Sequence, residues 1–252
     1  ILWTLLHRNY GLPLTLVKRL SMLFDYNHSV LVINGHKSQP FDNKRGLLQG
    51  SSLSPILFNF FIDPLLKQLD TGPKVATTGS NTNHLFFADD GALHAATVTE
   101  MAELLKICQE WSNKVGMQFA PDKCVYLNDL TNNDLKLYDV VLPAEPLFKY
   151  LGIQMKRTGI DWAANYALRA KKFKDTTIML RKVGYNSTGF PLPTSSVIYK
   201  TFIRPTLTYG TELGGIDPFT TRLYVKEEGQ ALRTALSAPR NTSRNAMHKL
   251  LR

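Results

Sequence analysis

Two adjacent carboxylates, Asp89 and Asp90, sit between the hydrophobic run Phe86-Phe87-Ala88 and a return through Gly91-Ala92-Leu93-His94-Ala95-Ala96. Carboxylates displayed at the tip of a buried hairpin are hard oxygen donors suited to a divalent metal. The same Asp-Asp-Gly run is also ordinary turn chemistry, since Asp tolerates left-handed backbone and Gly supplies positive φ. About forty residues upstream, Arg45-Gly46-Leu47-Leu48-Gln49-Gly50-Ser51-Ser52-Leu53-Ser54-Pro55 runs into the apolar Ile56-Leu57-Phe58-Asn59-Phe60-Phe61. A Gln flanked by glycines can form a nucleotide platform, because glycine lets a base or a second backbone approach closely. Ser54 followed by Pro55 reads as the N-cap and first residue of a helix.

The elements that must position these residues follow from periodicity. Residues 1–24 carry apolar side chains at helical spacing, broken at Gly11-Leu12-Pro13, which predicts two short helices. Ser29 to Ile33 alternates as a strand, Asn34-Gly35 is a hairpin signal, and Gln39 to Leu47 returns as its partner. A helix over 54–69 ends at Thr71-Gly72-Pro73. After the Asp89 hairpin, Thr97 and Glu100 form a capping box. The helix it opens carries Met101, Leu104, Leu105, Cys108, Trp111 and Val115 at three- and four-residue intervals, a stripe read as core packing. Short strands are expected near Gln118-Phe119, at 125–127 and over 148–154, with a polar stretch at 128–134.

Composition shifts after Met155. A long helical pattern over 161–183 places Trp162, Tyr166, Ala170, Phe173, Thr177 and Leu180 on one side, with Arg169, Lys171, Lys172, Lys174, Arg181 and Lys182 spread over the remainder. A basic face is ordinarily solvated surface, and it is also what phosphate binding requires. Gly184 to Pro193 reads as a linker, followed by helical segments at 195–213, 222–236 and 244–252. No internal repeat or low-complexity tract interrupts the chain.

The 252 residues suffice for one large domain or two small ones. A hydrophobic share of 44% and a charged share of 20% exclude a disordered chain. Thirty Lys and Arg against twenty Asp and Glu give a net charge of +10, which favours a polyanionic partner. Cys108 and Cys124 are the only cysteines and have no His at ligand spacing, so a disulfide framework and a zinc site are not expected, as suits an intracellular protein. The apolar run around Ile56 to Leu66 is broken by Asn59, Asp63 and Pro64, so no membrane contact is expected.

The Gln49-Gly50 and Asp89-Asp90 segments, in this order and separation, resemble the reverse transcriptases of non-LTR (LINE-like) retroelements. Asn113 to Cys124, with Pro121-Asp122-Lys123-Cys124, is similar to the following palm segment that ends in a Lys. Phe148-Lys149-Tyr150-Leu151-Gly152 is similar to the next motif, and Phe202-Ile203-Arg204-Pro205-Thr206-Leu207-Thr208-Tyr209-Gly210 to a helix that often follows the polymerase core. The resemblance implies an α+β fold: a right-hand polymerase palm with partial fingers in residues 1–155, then a helical thumb and C-terminal extension in residues 156–252. It implies RNA-directed DNA polymerisation by two-metal nucleotidyl transfer with Mg²⁺ or Mn²⁺, an RNA template, a DNA primer and dNTP, in the nucleus.

Carried over residue by residue, the resemblance makes Asp89 and Asp90 metal ligands and Lys123 a cation at the triphosphate. Gln49, Gly50, Arg45 and Ser51 would shape the nucleotide and template pocket, although Ser51-Ser52 stands where the commoner pattern has Asp-Pro. Phe148, Tyr150 and Gly152 would lie under the primer end. The family's third carboxylate, upstream of the Gln-Gly segment, has no counterpart in residues 1–45, where Asp25 ends a helical pattern and Asp42 lies in a polar stretch. Two-metal chemistry needs carboxylates that hold two cations about 4 Å apart. The sequence therefore reads as a fragment cut just after the first catalytic Asp, expected to be inactive alone. The alternatives are a non-catalytic nucleic-acid-binding protein on a polymerase scaffold and, ranked last, a protein-interaction module using the helices after residue 195.

Overall fold

A computed structural model describes the chain except residues 26, 27, 44, 45, 78, 79, 128–134, 187, 215–217, 251 and 252. Helices and short antiparallel strands alternate, an α+β composition, and the chain divides into two compact units. The first comprises residues 1–126 and 130–144, the second residues 127–129 and 145–252. Among the described residues no helix is long and apolar enough to cross a membrane.

In the first unit α1 (Leu2–Arg8) and α2 (Leu14–Met22) flank the expected break. The strands β1 (His28–Ser29), β2 (Val32–Ile33), β3 (His36–Lys37) and β4 (Phe41–Asp42) form a nested hairpin, with β2 on β3 inside β1 on β4. Asn34 and Gly35 take φ of +50° and +82° at its tip, the two left-handed residues a type I′ turn requires.

Next comes α3 (Ser54–Leu69), whose cap is Leu53, not Ser54. The Ser54 hydroxyl instead donates to the Leu48 carbonyl at 2.6 Å, so it ties the helix start to the turn before it. Pro64 lies inside α3 and removes the donor that would pair the Phe60 carbonyl. The Tyr10 hydroxyl lies 3.5 Å from that carbonyl and also donates to Asp63, which Lys67 approaches at 2.7 Å. Hydrogen bonds from Lys67 and Tyr10 hold the Asp63 carboxyl below its usual range, and burial followed by the Asp63 bond pushes the Tyr10 phenol up to about 12.

The strands β5 (Val75–Thr77) and β6 (Ser80–Thr82) pair, as do β7 (His84–Phe87) and β8 (Asp90–Leu93). The α4 helix (Val98–Val115) has the expected capping box: Thr97 Oγ1 accepts the Glu100 amide while Glu100 accepts the Thr97 amide at 3.0 Å. Its stripe is core, with Leu104, Cys108 and Trp111 buried against Ile62, Leu65 and Leu69 of α3. Burial pushes the Cys108 thiol up to about 12, with the charge of Cys124 as a smaller cause. An unfolded thiol titrates near 8.5, so the folded chain holds the proton more tightly. The associated stability is complete below about pH 8 and is lost as pH rises toward 12. We expect iodoacetamide at pH 8 to label Cys124 at least tenfold faster than Cys108 in the folded chain and both alike in urea; equal native labelling, read by mass spectrometry, contradicts the burial argument.

No strand forms at Gln118-Phe119, because the Phe119 amide is taken by the Tyr138 hydroxyl at 3.2 Å. The strands β9 (Tyr126–Leu127), β10 (Lys136–Leu137), β11 (Val140–Val141) and β12 (Ala144–Glu145) follow, β10 pairing with β11. The polar stretch at 128–134 lies outside the described residues.

The second unit opens with a three-stranded antiparallel sheet, β13 (Phe148–Tyr150), β14 (Ile153–Lys156) and β15 (Gly159–Ile160). Then come α5 (Trp162–Lys182), α6 (Leu192–Ile198), α7 (Arg204–Thr208), α8 (Pro218–Leu236) and α9 (Arg244–Leu250). Phe173, Tyr185, Tyr199, Ile203, Leu207, Leu232 and Met247 form the core. The stretch read as a linker is part of that core: Tyr185 is fully buried, and the Phe190 amide returns to the Gly184 carbonyl at 2.9 Å. The segment expected as one helix over 195–213 is broken into α6, a π-turn at Tyr199–Ile203 and α7, where Pro205 cannot donate to the preceding turn.

Candidate metal-binding hairpin and nucleic-acid interface

The Asp89 hairpin is built by cross-strand pairing in which Phe87 faces Asp90 and Phe86 faces Gly91. That register leaves Ala88 and Asp89 as the connecting turn, so Asp90 and Gly91 belong to β8. The left-handed position falls on Ala88, at φ +53°, and not on Gly91. Gly91 is required for a different reason: a Cβ there would lie 2.5 Å from the Phe86 ring. Along β7, Phe86 packs into the α3–α4 core while Phe87 is two-thirds exposed, and Asp89 and Asp90 are both exposed at the tip.

The base of the hairpin is fixed by Asn83, a residue the sequence reading did not single out. Its side chain is fully buried and donates to the carbonyl of Leu69, the last residue of α3, and to that of Pro73 in the segment that follows, while its main-chain carbonyl accepts the His94 amide at 2.8 Å. A buried amide must be paired, so this set of bonds locks the hairpin to the helix. Nothing in the polar run Ser80-Asn81-Thr82-Asn83 marks one Asn as internal.

The Gln49 segment is a turn closed by the Ser51 amide on the Leu48 carbonyl at 3.3 Å, with Gly50 at φ +86°. Gln49 and Gly50 are exposed, and the Ser51 hydroxyl accepts the Leu53 amide at 3.3 Å. The turn and the Asp89 hairpin share α3 as their support, one at its N-terminal end through Ser54, the other through Ile62, Leu65 and Leu69. Arg45 lies outside the described residues. Lys123 is exposed in a short 3₁₀ turn, Pro121–Lys123. Asp63, held by Tyr10 and Lys67, and Asp42, 2.6 Å from the His28 ring, are engaged in their own contacts.

Exposed carboxylate oxygens at Asp89 and Asp90 are the donor type Mg²⁺ or Mn²⁺ takes, with water completing the shell. Among the described residues no group of three His, Cys, Asp or Glu side chains is placed to hold a metal.

In the second unit Phe148 and Tyr150 are half-buried and Lys149 between them is exposed. Leu151 and Gly152 form the β13–β14 turn, with φ of +46° and +81°. On α5 the basic residues separate into kinds. Lys171, Lys172, Arg181 and Lys182 are exposed, Lys174 is 3.0 Å from the buried Glu227, and Arg169 is itself buried beside the sheet. Arg169 therefore does not share the exposed face of the other basic residues with which its charge groups it, and lies instead on the buried side with Asn165 and Phe173.

Comparison with known proteins adds a lineage to this geometry. The profile of the family described as reverse transcriptase (RNA-dependent DNA polymerase) matches residues 12–155, more than half of the chain. The retrovirus-related Pol polyprotein from type-2 retrotransposable element R2DM of Drosophila melanogaster is 30% identical over 167 residues, 60% of this chain and 16% of that protein. The Pol polyprotein from the type-1 retrotransposable element R2 of Popillia japonica is 26% identical over 202 residues, 74% of this chain and 31% of that protein. Its counterpart from Nasonia vitripennis is 27% identical over 117 residues, 46% of this chain and 11% of that protein. The chain thus spans no more than about a third of the length of these curated relatives.

Proposed function

Because the chain belongs to the reverse transcriptase (RNA-dependent DNA polymerase) family, we propose that it is an RNA-directed DNA polymerase segment of a non-LTR retroelement. The observation that carries this reading is the pair of exposed carboxylates on a hairpin whose base and inner face are fixed by Asn83 and the α3–α4 core. Residues 1–155 supply part of the fingers and the palm, and residues 156–252 the thumb and C-terminal helices. The proposed compartment is the nucleus.

Asp89 and Asp90 would hold Mg²⁺ or Mn²⁺, which would supply charge neutralisation to the transferring phosphates. Gln49, Gly50, Ser51 and Arg45 shape the floor under the templating base and incoming nucleotide. Lys123 supplies a positive charge toward the triphosphate. Phe148, Tyr150 and Gly152 support the primer end, and Lys171, Lys172, Arg181 and Lys182 meet the phosphate backbone of an RNA template paired with a DNA primer.

The test is binding and extension of an RNA template–DNA primer by this chain beside Asp89→Asn. We expect affinity that weakens with salt, Mn²⁺ binding at least tenfold weaker in Asp89→Asn by electron paramagnetic resonance, and no incorporation by the chain alone. Incorporation that disappears in Asp89→Asn would show that another carboxylate of this chain completes the site. Duplex binding with no Mn²⁺ bound at Asp89 favours the non-catalytic scaffold, and absence of duplex binding refutes the polymerase reading.

A further inference from the structure

The β13–β14 turn is held by atoms that do not belong to it. Leu151 occupies the left-handed region at φ +46°, a conformation that costs any residue with a Cβ. Such a residue persists only where its surroundings over-determine it. Here the surroundings are two side chains on consecutive carbonyls. The Tyr209 hydroxyl donates to the Leu151 carbonyl at 2.8 Å, and Arg169 Nη2 donates to the Gly152 carbonyl at 2.5 Å.

The two donors also hold each other. The Arg169 guanidinium lies 4.4 Å from the centroid of the Tyr209 ring, in cation–π geometry. Gly210, next to Tyr209, has φ +83°, and a Cβ there would meet the Ile153 side-chain tip, so the backbone carrying Tyr209 packs on a side chain of the strand that leaves the turn. One helical turn before Arg169, Asn165 clamps the same strand: its Oδ1 accepts the Gln154 amide and its Nδ2 donates to the Gln154 carbonyl, both at 2.9 Å. Arg169 is 7% exposed and Asn165 3%, so neither is available to solvent. A cation buried to bind a backbone carbonyl sacrifices hydration for placement of that carbonyl.

We propose that Arg169 and Tyr209 are positioning residues: they fix the Leu151–Gly152 turn so that the exposed Lys149 between Phe148 and Tyr150 is presented to the backbone of a primer–template duplex. This rests on the polymerase reading above and adds which groups outside the hairpin set its geometry. Neither residue touches the nucleic acid.

The experiment is lysine footprinting by reductive methylation and mass spectrometry, with and without an RNA–DNA duplex, on the full chain, Tyr209→Phe and Arg169→Met. Tyr209→Phe keeps the ring under Arg169 and removes a single hydroxyl, so it remains informative should Arg169→Met fail to fold. The expected result is duplex protection of Lys149, Lys171 and Lys172 in the unmodified chain. In the variants protection of Lys149 falls at least fivefold while that of Lys171 and Lys172 and the unfolding midpoint are retained, a split that general loosening does not give. Equal protection of Lys149 in folded variants overturns the positioning role and leaves the polymerase reading standing. Protection of Lys171 and Lys172 without Lys149 in the unmodified chain also overturns it. No protection at any lysine removes the polymerase reading and this inference with it.

Discussion

Trp111→Ala will cost about 3–5 kcal/mol, the range for deleting a large buried aromatic side chain. The ring is 2% exposed and meets Phe61 edge-on at a centroid distance of 5.4 Å. Leu65, Leu69, Leu104 and Cys108 surround it in a core that two helices share with the hairpin through Phe86 and Leu93. Because the total stability of a domain is only about 5–15 kcal/mol, losing this ring consumes much of it. Urea unfolding monitored by hydrogen exchange of the first unit should show a lower midpoint with an unchanged slope. Ile56→Ala, on α3 of the same unit at a position 54% exposed, provides the comparison and is expected to change stability by no more than about 0.5 kcal/mol. A loss below about 1.5 kcal/mol for Trp111→Ala means that the α3–α4 core can collapse around the cavity, contrary to the packing described.

The second large effect is expected at Gly91, where substitution acts through one aromatic ring. A Cβ there would lie 2.5 Å from Phe86 Cε1 and 2.7 Å from Cζ. The ring end of a Phe can often swing aside, but this one is packed into the α3–α4 core, so relief requires moving the ring out or the strand away. Overpacking of that kind costs about 1–3 kcal/mol, which outweighs the roughly 0.5–1 kcal/mol that Gly→Ala otherwise returns in chain entropy. Since Phe87 and Asp90 pair one residue farther toward the tip, displacement of β8 carries Asp89 and Asp90 with it. Gly91→Ala should therefore lower both stability and Mn²⁺ binding, and Phe86→Leu should recover part of the loss in the double variant. A double-mutant cycle with no coupling between the two positions would contradict the ring-contact explanation.

What could be seen in the sequence was what local chemistry dictates. The Asn34-Gly35 turn, the Thr97–Glu100 capping box and the Leu104-Cys108-Trp111 stripe all depend on residues within a few positions of each other, and all are present in the fold. The apolar runs around Asp89 and Asp90 correctly marked a hairpin, but the register that makes Ala88 the left-handed residue depends on which strand residues pair. Ser54 carried the right residue type for a cap, and a nearby carbonyl claimed its hydroxyl.

The misreadings share a cause: they concern residues whose partners lie far along the chain. Arg169 follows Tyr166 by three residues and precedes Phe173 by four, so its spacing lies with the buried side of α5, and what the sequence hides is that Gly152 and Tyr209 supply the partners that let a cation sit there. Tyr185 looked like part of a Gly/Ser/Pro linker because its composition is that of a turn, while its ring closes the core of the second unit. Asn83 is one polar residue among several until the Leu69 and Pro73 carbonyls select it. The roles of Asp89, Asp90, Lys123 and the Gln49 turn were read from resemblance, and metal titration and duplex binding are the measurements that bear on them.

Asn165 grips the second strand of the three-stranded sheet solely through the main-chain amide and carbonyl of residue 154. A grip of this kind is blind to side-chain identity. The residue it holds can drift over generations without loosening the attachment, whereas Asn165 itself cannot be exchanged even for Asp, which lacks the donor. Variation between relatives should then be freer at position 154 than at position 165.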